Sequence, residues 1–246
     1  MKVLGVIPAR FGSTRFPGKA LAIIEEKTVI ERVYENAKMA RLLNRVIIAT
    51  DDKRIFSKAK SFGAEVLMTS RAHNSGTERV AEVVRKIRAD VVVNIQGDEP
   101  FLKSAMIDSL VNEFGAKNVL MATLVTKIKD LADLDNPNIV KVVFDKNNYA
   151  LYFSRSKIPY LRHRAQSVGY RYYKHIGIYA YRSKFLLNFV KLPVSDLEKI
   201  ELLEQLRALE NGIKIKIACV KENTLSIDTP GDLRKAKSFF KRQGLK

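Results

Sequence analysis

The sequence predicts an α/β fold with three layers, in which a mostly parallel sheet carries helices on both faces. Through the first half of the chain, short β-branched runs alternate with segments of helical period. Candidate strands such as residues 91–95 are apolar almost throughout, as strands buried on both faces are. The chain has 246 residues and no Gly-, Pro- or Ser-rich linker, so we expect a single domain spanning residues 1–246.

The candidate elements of the first half follow one another in regular order. Strands are expected at residues 3–8, 46–50, 65–68, 91–95 and 119–125, with a helix over about 28–41 and another that ends near Gly63. Apolar residues recur at i, i+3, i+4 and i+7 in Val80, Val83, Val84 and Ile87, which predicts a helix with one buried face. The next helix is marked in the same way by Ile107, Leu110, Val111 and Phe114.

The second half begins with a departure from this rhythm. Residues 140–182, called the excursion below, have the pattern of longer strands and a basic loop rather than of another strand–helix unit. A helix is then expected over residues 197–210, with a stripe formed by Leu202, Leu206 and Leu209, followed by a strand at 214–220 and a helix after Pro230. Cys219, the single cysteine, lies in that last strand, so we expect a buried thiol and no disulfide framework.

Bulk composition narrows the classes of protein. Apolar runs such as residues 91–93 are far shorter than the roughly 20 residues that cross a bilayer, and the first ten residues read directly as a strand with no leader pattern. We therefore expect a soluble cytoplasmic protein with no membrane segment. The net charge of +18 indicates either a basic surface, a nucleic-acid binder or a site for polyanionic small molecules.

The cationic residues include a local zone rather than a tail. Residues 146–195 contain no Asp or Glu, and Tyr and Phe are interleaved with their cations, which are Lys146, Arg155, Lys157, Arg162, Arg164, Arg171, Lys174, Arg182, Lys184 and Lys191. A nucleic-acid-binding module would account for this zone and predicts steep salt dependence of binding. It would not account for acidic residues at the ends of separate strands, and no RNP or helix-turn-helix signature is present.

The loop after the first strand has the composition of a phosphate site. Residues 8–19 are rich in Gly, Ser and Thr, whose exposed backbone N–H groups can bind phosphate, and they add the cations Arg10, Arg15 and Lys19. The spacing is not that of a Walker A loop, because five residues separate Gly12 from Gly18 and Ala20 replaces the expected Ser or Thr. A solvated basic loop is the structural alternative.

Two aspartates are candidates for holding Mg²⁺. Asp98 follows a glycine at the end of the fourth strand, where ligands bind in open α/β sheets. Asp228 precedes Thr229 and Pro230, a sequence that is also a common helix start. Asp228 could therefore be a metal ligand while Thr229 caps the helix.

Three further segments have both a functional and a structural interpretation. Residues 75–79 open a helix and could face a base or a phosphate, but Ser75 and Glu78 also fit a capping box. Arg155, His175 and Tyr179 could bind a carboxylate and hydroxyls. Glutamates in residues 197–210 would ordinarily form a solvated helix face.

Read together, these motifs resemble the 3-deoxy-manno-octulosonate (KDO) cytidylyltransferase family, also called CMP-KDO synthetases. Eight motifs occur in order along nearly the whole chain: IPAR-x-x-STR-x-PGK at 7–19, ATD at 49–51, H-x-SGTER at 73–79, N-x-QGDEP at 94–100, LYFSR at 151–155, H-x-GIY at 175–179, LE-x-IE-x-LEQLR at 197–207 and DTP-x-DL at 228–233. Two positions depart from the family pattern: Gly231 stands where Glu is usual, and residues 161–163 lack an expected acidic residue.

The resemblance implies a nucleotide-diphospho-sugar transferase fold and a role for each motif. It implies that the triphosphate binds Arg10, Ser13, Thr14, Arg15 and Lys19, and that the cytidine is framed by Ala49, Thr50, Asp51, Ser75, Gly76, Thr77 and Arg79. The implied sugar site consists of Gln96, Arg155, His175, Tyr179, Glu204 and Gln205. Asp98 and Asp228 would hold Mg²⁺, and the implied catalytic set is Arg10, Lys19, Asp98 and Asp228.

The implied reaction transfers CMP from CTP to the anomeric hydroxyl of KDO and releases pyrophosphate. Its product, CMP-KDO, would serve lipopolysaccharide biosynthesis in the cytoplasm of a Gram-negative bacterium. The resemblance also implies a homodimer, with the excursion contributing to the sugar site and to the dimer interface. A cytidylyltransferase for another acidic sugar, such as a sialic acid, is the near alternative. No nucleic acid or membrane partner is expected.

Overall fold

A nine-stranded mixed sheet forms the centre of the molecule in the computed structural model, which describes residues 1–162 and 171–243. The strands are β1 (Val3–Ala9), β4 (Arg45–Thr50), β5 (Val66–Met68), β6 (Val91–Asn94), β7 (Met121–Lys127), β8 (Lys141–Phe144), β9 (Ala150–Ser154), β10 (Tyr173–Arg182) and β11 (Ile215–Val220). A separate hairpin pairs β2 (Ile23–Ile24) with β3 (Lys27–Thr28).

The helices lie on both faces of this sheet, with an apolar core on each side. They are α1 (Val29–Lys38), α2 (Lys53–Ser61), α3 (Gly76–Lys86), α4 (Ser104–Asn112), α5 (Ser183–Phe189), α6 (Asp196–Glu201), α7 (Gln205–Glu210) and α8 (Pro230–Gln243). Three short 3-10 helices span Lys19–Leu21, Glu113–Gly115 and Leu131–Leu134. The predicted three-layer α/β architecture is therefore confirmed. None of the described helices has the length and apolar character needed to cross a membrane.

The strand order is β11-β7-β10-β6-β1-β4-β5. Strands β6, β1, β4 and β5 run parallel, and β7 pairs in parallel with β11. Strand β10 lies between these two groups and runs antiparallel to both. The carboxyl ends of β1 and β6 consequently open at the same edge of the sheet, where α/β proteins bind ligands.

The excursion, predicted over residues 140–182, is a hairpin that returns to the sheet. β8 and β9 pair with each other, and β8 also pairs with the first residues of β10. Its last strand, β10, occupies the middle of the main sheet, so the excursion brings new residues directly beside β6. His163 and Arg164 lie outside the described residues.

The predicted helix over residues 197–210 is wrong, because the chain breaks it into α6 and α7. Leu202 adopts a left-handed conformation, with φ of 52°, and its side chain is 76% exposed rather than part of a buried stripe. The break is stabilised by Arg155, whose Nε donates to the Glu201 carbonyl at 2.7 Å. That carbonyl would otherwise accept from the next helical turn.

The prediction of a buried thiol at Cys219 is also wrong, because this side chain is exposed. Ile215 and Ile217 on the same face of β11 are buried. β11 is an edge strand, however, and the alternation no longer buries the side chain at its carboxyl end. Period-2 patterning indicates the face of a strand, but not where along the strand the covering layer stops.

An exposed thiol should react in the folded protein. We expect one thiol per chain to be modified by a disulfide reagent without denaturant, more slowly than a free thiol at the same pH because partial burial raises the Cys219 pKa. The Cys219→Ser variant is the blank. Reaction that begins only after a denaturant is added would contradict the exposed position.

Candidate active site

The ends of β1 and β6 meet two adjoining cavities that share several wall residues. The smaller, about 230 Å³, is called the basic cavity because Arg10, Arg15, Lys19 and Arg79 line it. The larger, about 530 Å³, is called the polar cavity and is lined by residues including Thr77, Asn94, His175, Glu204 and Gln205. Both are bounded by Ser75, Gly76, Gln96, Asp98 and Asp228. A molecule bound in one cavity would therefore lie next to a molecule bound in the other.

The loop of the basic cavity is shaped by short backbone contacts. Gly18 N–H donates to the Phe11 carbonyl at 2.8 Å, and Gly18 has a φ of 74°, which a residue with a side chain rarely adopts. This turn leads into the 3-10 helix that carries Lys19. At the neighbouring strand end, a Cβ on Gly97 would lie 2.9 Å from the Pro8 carbonyl oxygen. The absence of a side chain there lets the Asp98 loop pack against β1.

Four charged groups converge where the two cavities meet. The Lys19 ammonium donates to Asp98 Oδ2 at 2.5 Å and to Asp228 Oδ1 at 2.9 Å. Arg15 Nη2 lies 3.0 Å from the same Asp228 oxygen, although its side chain is largely exposed. Burial disfavours the charged form of Lys19, but the two carboxylates outweigh it and raise its pKa. Lys19 is therefore a fixed cation between two fixed anions.

The two aspartates are held by the backbone as well as by Lys19. Ile227 N–H donates to the Asp98 carbonyl at 2.9 Å, which ties the loop before α8 to the loop after β6. Thr229 Oγ1 accepts from the N–H of Asp232 at 3.2 Å, while the Asp232 carboxylate accepts from the Thr229 N–H at 3.0 Å. This reciprocal cap confirms that Thr229 caps α8, and it leaves Asp228 directed toward Lys19.

The residues at the start of α3 both cap the helix and line the cavities. Ser75 Oγ accepts from the Glu78 N–H at 3.2 Å, which confirms Ser75 as the helix cap. The capping box is incomplete, because the Glu78 carboxylate accepts from the Asn74 N–H at 2.8 Å instead of from Ser75. Ser75 and Gly76 nevertheless line both cavities. Arg79 is buried and donates to Thr69 at 2.5 Å, and it pairs with Asp51 at 3.0 Å. Its partners hold the guanidinium in place at the edge of the basic cavity.

Hydrogen bonds in the wall of the polar cavity leave groups free for a ligand. Thr77 Oγ1 donates to Glu204 Oε2 at 2.5 Å and accepts from Asn94 Nδ2 at 3.4 Å. Among the described residues, Asn94 Oδ1 and Gln205 Nε2 have no partner, although both side chains are buried. Unpaired buried polar atoms are costly, so this acceptor and this donor would gain a partner from a hydroxylated molecule that reached them. Burial raises the Glu204 pKa, which Thr77 and Arg207 oppose.

Two further titratable groups line the polar cavity, the partly buried His175 and the buried Glu99. His175 Nε2 lies 2.9 Å from Thr123 Oγ1, and burial lowers the pKa of this imidazole to about 3, so it is neutral near neutral pH. Burial, reinforced by the neighbouring Asp98 charge, raises the pKa of Glu99 to about 8. Asn94, Glu99, Lys174 and Thr224 line this cavity but were not among the predicted site residues. The N-x-QGDEP motif contained Asn94 and Glu99 and could have drawn attention to them.

Comparison with known proteins identifies the family. The cytidylyltransferase family profile matches residues 4–215. The 3-deoxy-manno-octulosonate cytidylyltransferase of Thermodesulfovibrio yellowstonii is 51% identical over 96% of this chain and 97% of its own length. The protein of the same name from Solibacter usitatus is 51% identical over 98% of this chain and 95% of its own length.

This chain belongs to the 3-deoxy-manno-octulosonate cytidylyltransferase family. A solved structure of CMP:2-keto-3-deoxy-manno-octonic acid synthetase complexed with CTP superposes with a TM-score of 0.93. The two chains are 41% identical, and the match covers 99% of this chain and 100% of that one. The predicted family, the nucleotidyltransferase class and the fold are thus confirmed.

Within this family member, most predicted residues meet at the two cavities. The basic cavity is lined by Arg10, Ser13, Thr14, Arg15, Lys19, Ser75, Gly76, Arg79, Gln96, Asp98 and Asp228. The polar cavity adds Thr77, His175, Tyr179, Glu204 and Gln205. Four predicted residues lie outside the lining of both cavities: Ala49, Thr50, Asp51 and Arg155. Their direct contact with substrate stays a prediction.

The burial of His175 makes stability depend on pH. Its folded pKa of about 3 lies below the ordinary 6.5, so the unfolded chain binds the extra proton and stability falls as the pH drops below about 6.5. From about pH 7 to about pH 5 we expect the wild type to lose about 2 kcal/mol more unfolding free energy than His175→Gln does. Urea titrations of both proteins at each pH measure this difference. Equal losses would show that His175 titrates normally.

Proposed function

We propose that this enzyme transfers CMP from CTP to the anomeric hydroxyl of KDO, releasing pyrophosphate and forming CMP-KDO for lipopolysaccharide biosynthesis. The observation that carries the proposal is the pair of adjoining cavities with Asp98 and Asp228 at their junction. One cavity has the cations that a triphosphate requires, and the other has buried hydrogen-bonding groups suited to a polyhydroxylated sugar. The names of the relatives supply the identities of the two substrates.

The proposed reaction is an in-line displacement at the α-phosphorus. The anomeric oxygen, coming from the polar cavity, forms a bond to the α-phosphorus while the bond to the β-phosphate oxygen breaks. The electron pair leaves with pyrophosphate, and the hydroxyl proton is released. Arg10, Arg15 and Lys19 would offset charge on the phosphates, and the polar cavity would hold the sugar in line. Such a reaction needs no protein nucleophile.

We propose further that Asp98 and Asp228 hold Mg²⁺. Their carboxylate oxygens converge on a single cation, the Lys19 ammonium, so hard oxygen donors already face a common point. No group of three or more His, Cys, Asp or Glu side chains is arranged for a metal within residues 1–162 and 171–243. Two carboxylates fit Mg²⁺, which typically takes one or two from a protein and completes its shell with phosphate oxygens and water. When bound, the ion would neutralise charge on the triphosphate.

Turnover with defined substrates tests the proposal directly. Pyrophosphate release should require both CTP and KDO, and should be much slower when a sialic acid replaces KDO or UTP replaces CTP. Faster turnover with a sialic acid than with KDO would show that the enzyme is instead a cytidylyltransferase for a sialic acid. No release with either sugar would reject the proposed function.

Charge removal at the junction should abolish turnover without unfolding the protein. Asp98→Asn and Asp228→Asn keep size but lose the negative charge, so we expect turnover to fall roughly 100-fold or more, with partial rescue by excess Mg²⁺. Thr229→Ala is the matched control. Losing the cap should cost about 1 kcal/mol of stability while turnover is retained. An Asp228→Asn enzyme that is fully active at limiting Mg²⁺ would reduce Asp228 to part of a helix start.

We also propose a homodimer formed through the excursion and a cytoplasmic location. Large apolar side chains are exposed on and near β9 and α6, including Leu151 at 62%, Tyr160 at 87% and Ile200 at 77%. A second copy packed on this face would remove these apolar side chains from water. Light scattering should give twice the mass of one chain. A double variant with Leu151→Lys and Ile200→Lys should give the mass of a single chain. The proposed location rests on the proposed supply of CMP-KDO for lipopolysaccharide biosynthesis.

A further inference from the structure

The proposed sugar carries a carboxylate, and that charge needs a partner inside the polar cavity. A carboxylate that gives up part of its hydration in a cavity loses free energy unless a cation or several hydrogen-bond donors meet it. The motifs predicted Arg155 and His175 for this task. Neither meets the requirement in the structure.

The Arg155 guanidinium is already engaged outside the cavity lining. Nε donates to the Glu201 carbonyl at 2.7 Å, Nη1 to the Pro137 carbonyl at 2.9 Å and Nη2 to the Leu202 carbonyl at 3.4 Å. These bonds hold the break between α6 and α7, so freeing the guanidinium would dismantle the wall that carries Glu204. His175 lines the cavity, but its imidazole is neutral near neutral pH.

Lys174 is the remaining cation. Within the described ranges 1–162 and 171–243, it is the only lysine or arginine that lines the polar cavity. Its side chain is 15% exposed, so its charge is only weakly screened by water. The nearest carboxylate, Asp133 Oδ2, lies 3.7 Å from its ammonium, beyond a normal hydrogen bond, and the Asp133 side chain is 33% exposed. Lys174 therefore has hydrogen-bonding capacity left for an incoming anion.

We infer that Lys174 binds the carboxylate of the acidic sugar and is a determinant of specificity for sugar acids over neutral sugars. This inference rests on the proposed function. Asp133, whose carboxylate lies 3.7 Å from the ammonium, would balance the charge of Lys174 until the substrate arrives. The position next to His175 on β10 brings the sugar's acidic end to the side of the polar cavity formed by the excursion.

Steady-state kinetics on the intact enzyme can separate this role from folding and from nucleotide binding. Lys174→Gln should raise the KM for KDO roughly 10- to 100-fold, the loss expected for one charge-assisted contact, while the KM for CTP stays unchanged. Lys174 does not line the basic cavity. Lys174→Arg should restore most of the affinity. Lys127→Gln, an exposed residue at the end of β7, removes the same charge from outside both cavities and should match the wild type.

The carboxamide of KDO provides a second, independent measurement. The wild type should use the carboxamide far less well than the acid, whereas Lys174→Gln should discriminate little between them. If Lys174 served only as a structural partner of Asp133, then Asp133→Asn would raise the KM for KDO as much as Lys174→Gln does. That result, or an unchanged KM in Lys174→Gln, would overturn the inference. A wild type that does not turn over KDO would instead reject the proposed function.

Discussion

The contact of one ammonium with two carboxylates organises the whole site. Lys19 follows β1, Asp98 follows β6 and Asp228 precedes α8, so the three residues are far apart in the sequence. The Lys19 ammonium nevertheless lies within 2.9 Å of both carboxylates. Without the lysine, the two carboxylates would repel each other and the phosphate loop would lose its anchor. The basic and polar cavities meet at this point because three loops converge there. Nucleotide and sugar would consequently be brought together at the place where charge is most concentrated.

The wall of the polar cavity depends on a second set of contacts, in which basic side chains donate hydrogen bonds to backbone carbonyl groups. Arg155 caps the broken end of α6, and the buried ammonium of Lys141 donates to the carbonyls of Asn136, Ile139 and Arg155. These bonds join β9, the loop before β8 and the left-handed turn at Leu202. The turn directs Glu204 toward Thr77, so the wall of the cavity is held by cations that do not face the substrate.

Much of this organisation was accessible from sequence, because it depends on strand ends and local motifs. The family resemblance paired Asp98 with Asp228, and Asp98 also follows a strand at the carboxyl edge of the sheet, where ligands bind. Leu202 could not be placed, because the break that exposes it depends on Arg155, a residue distant in sequence. The prediction that Cys219 is buried was wrong for a related reason, because strand patterning does not show where along an edge strand the covering layer stops. Lys174 was one cation among many until the cavity distinguished it.

Asp98 and Asp228 are proposed to form one cation site together with the triphosphate. Electron paramagnetic resonance of Mn²⁺, used in place of Mg²⁺, measures this most directly. With CTP present, the wild type should bind Mn²⁺ far more tightly than CTP alone does, and Asp98→Asn and Asp228→Asn should each lose most of that gain. Tight binding of Mn²⁺ and CTP retained in both variants would show that the two aspartates only neutralise Lys19.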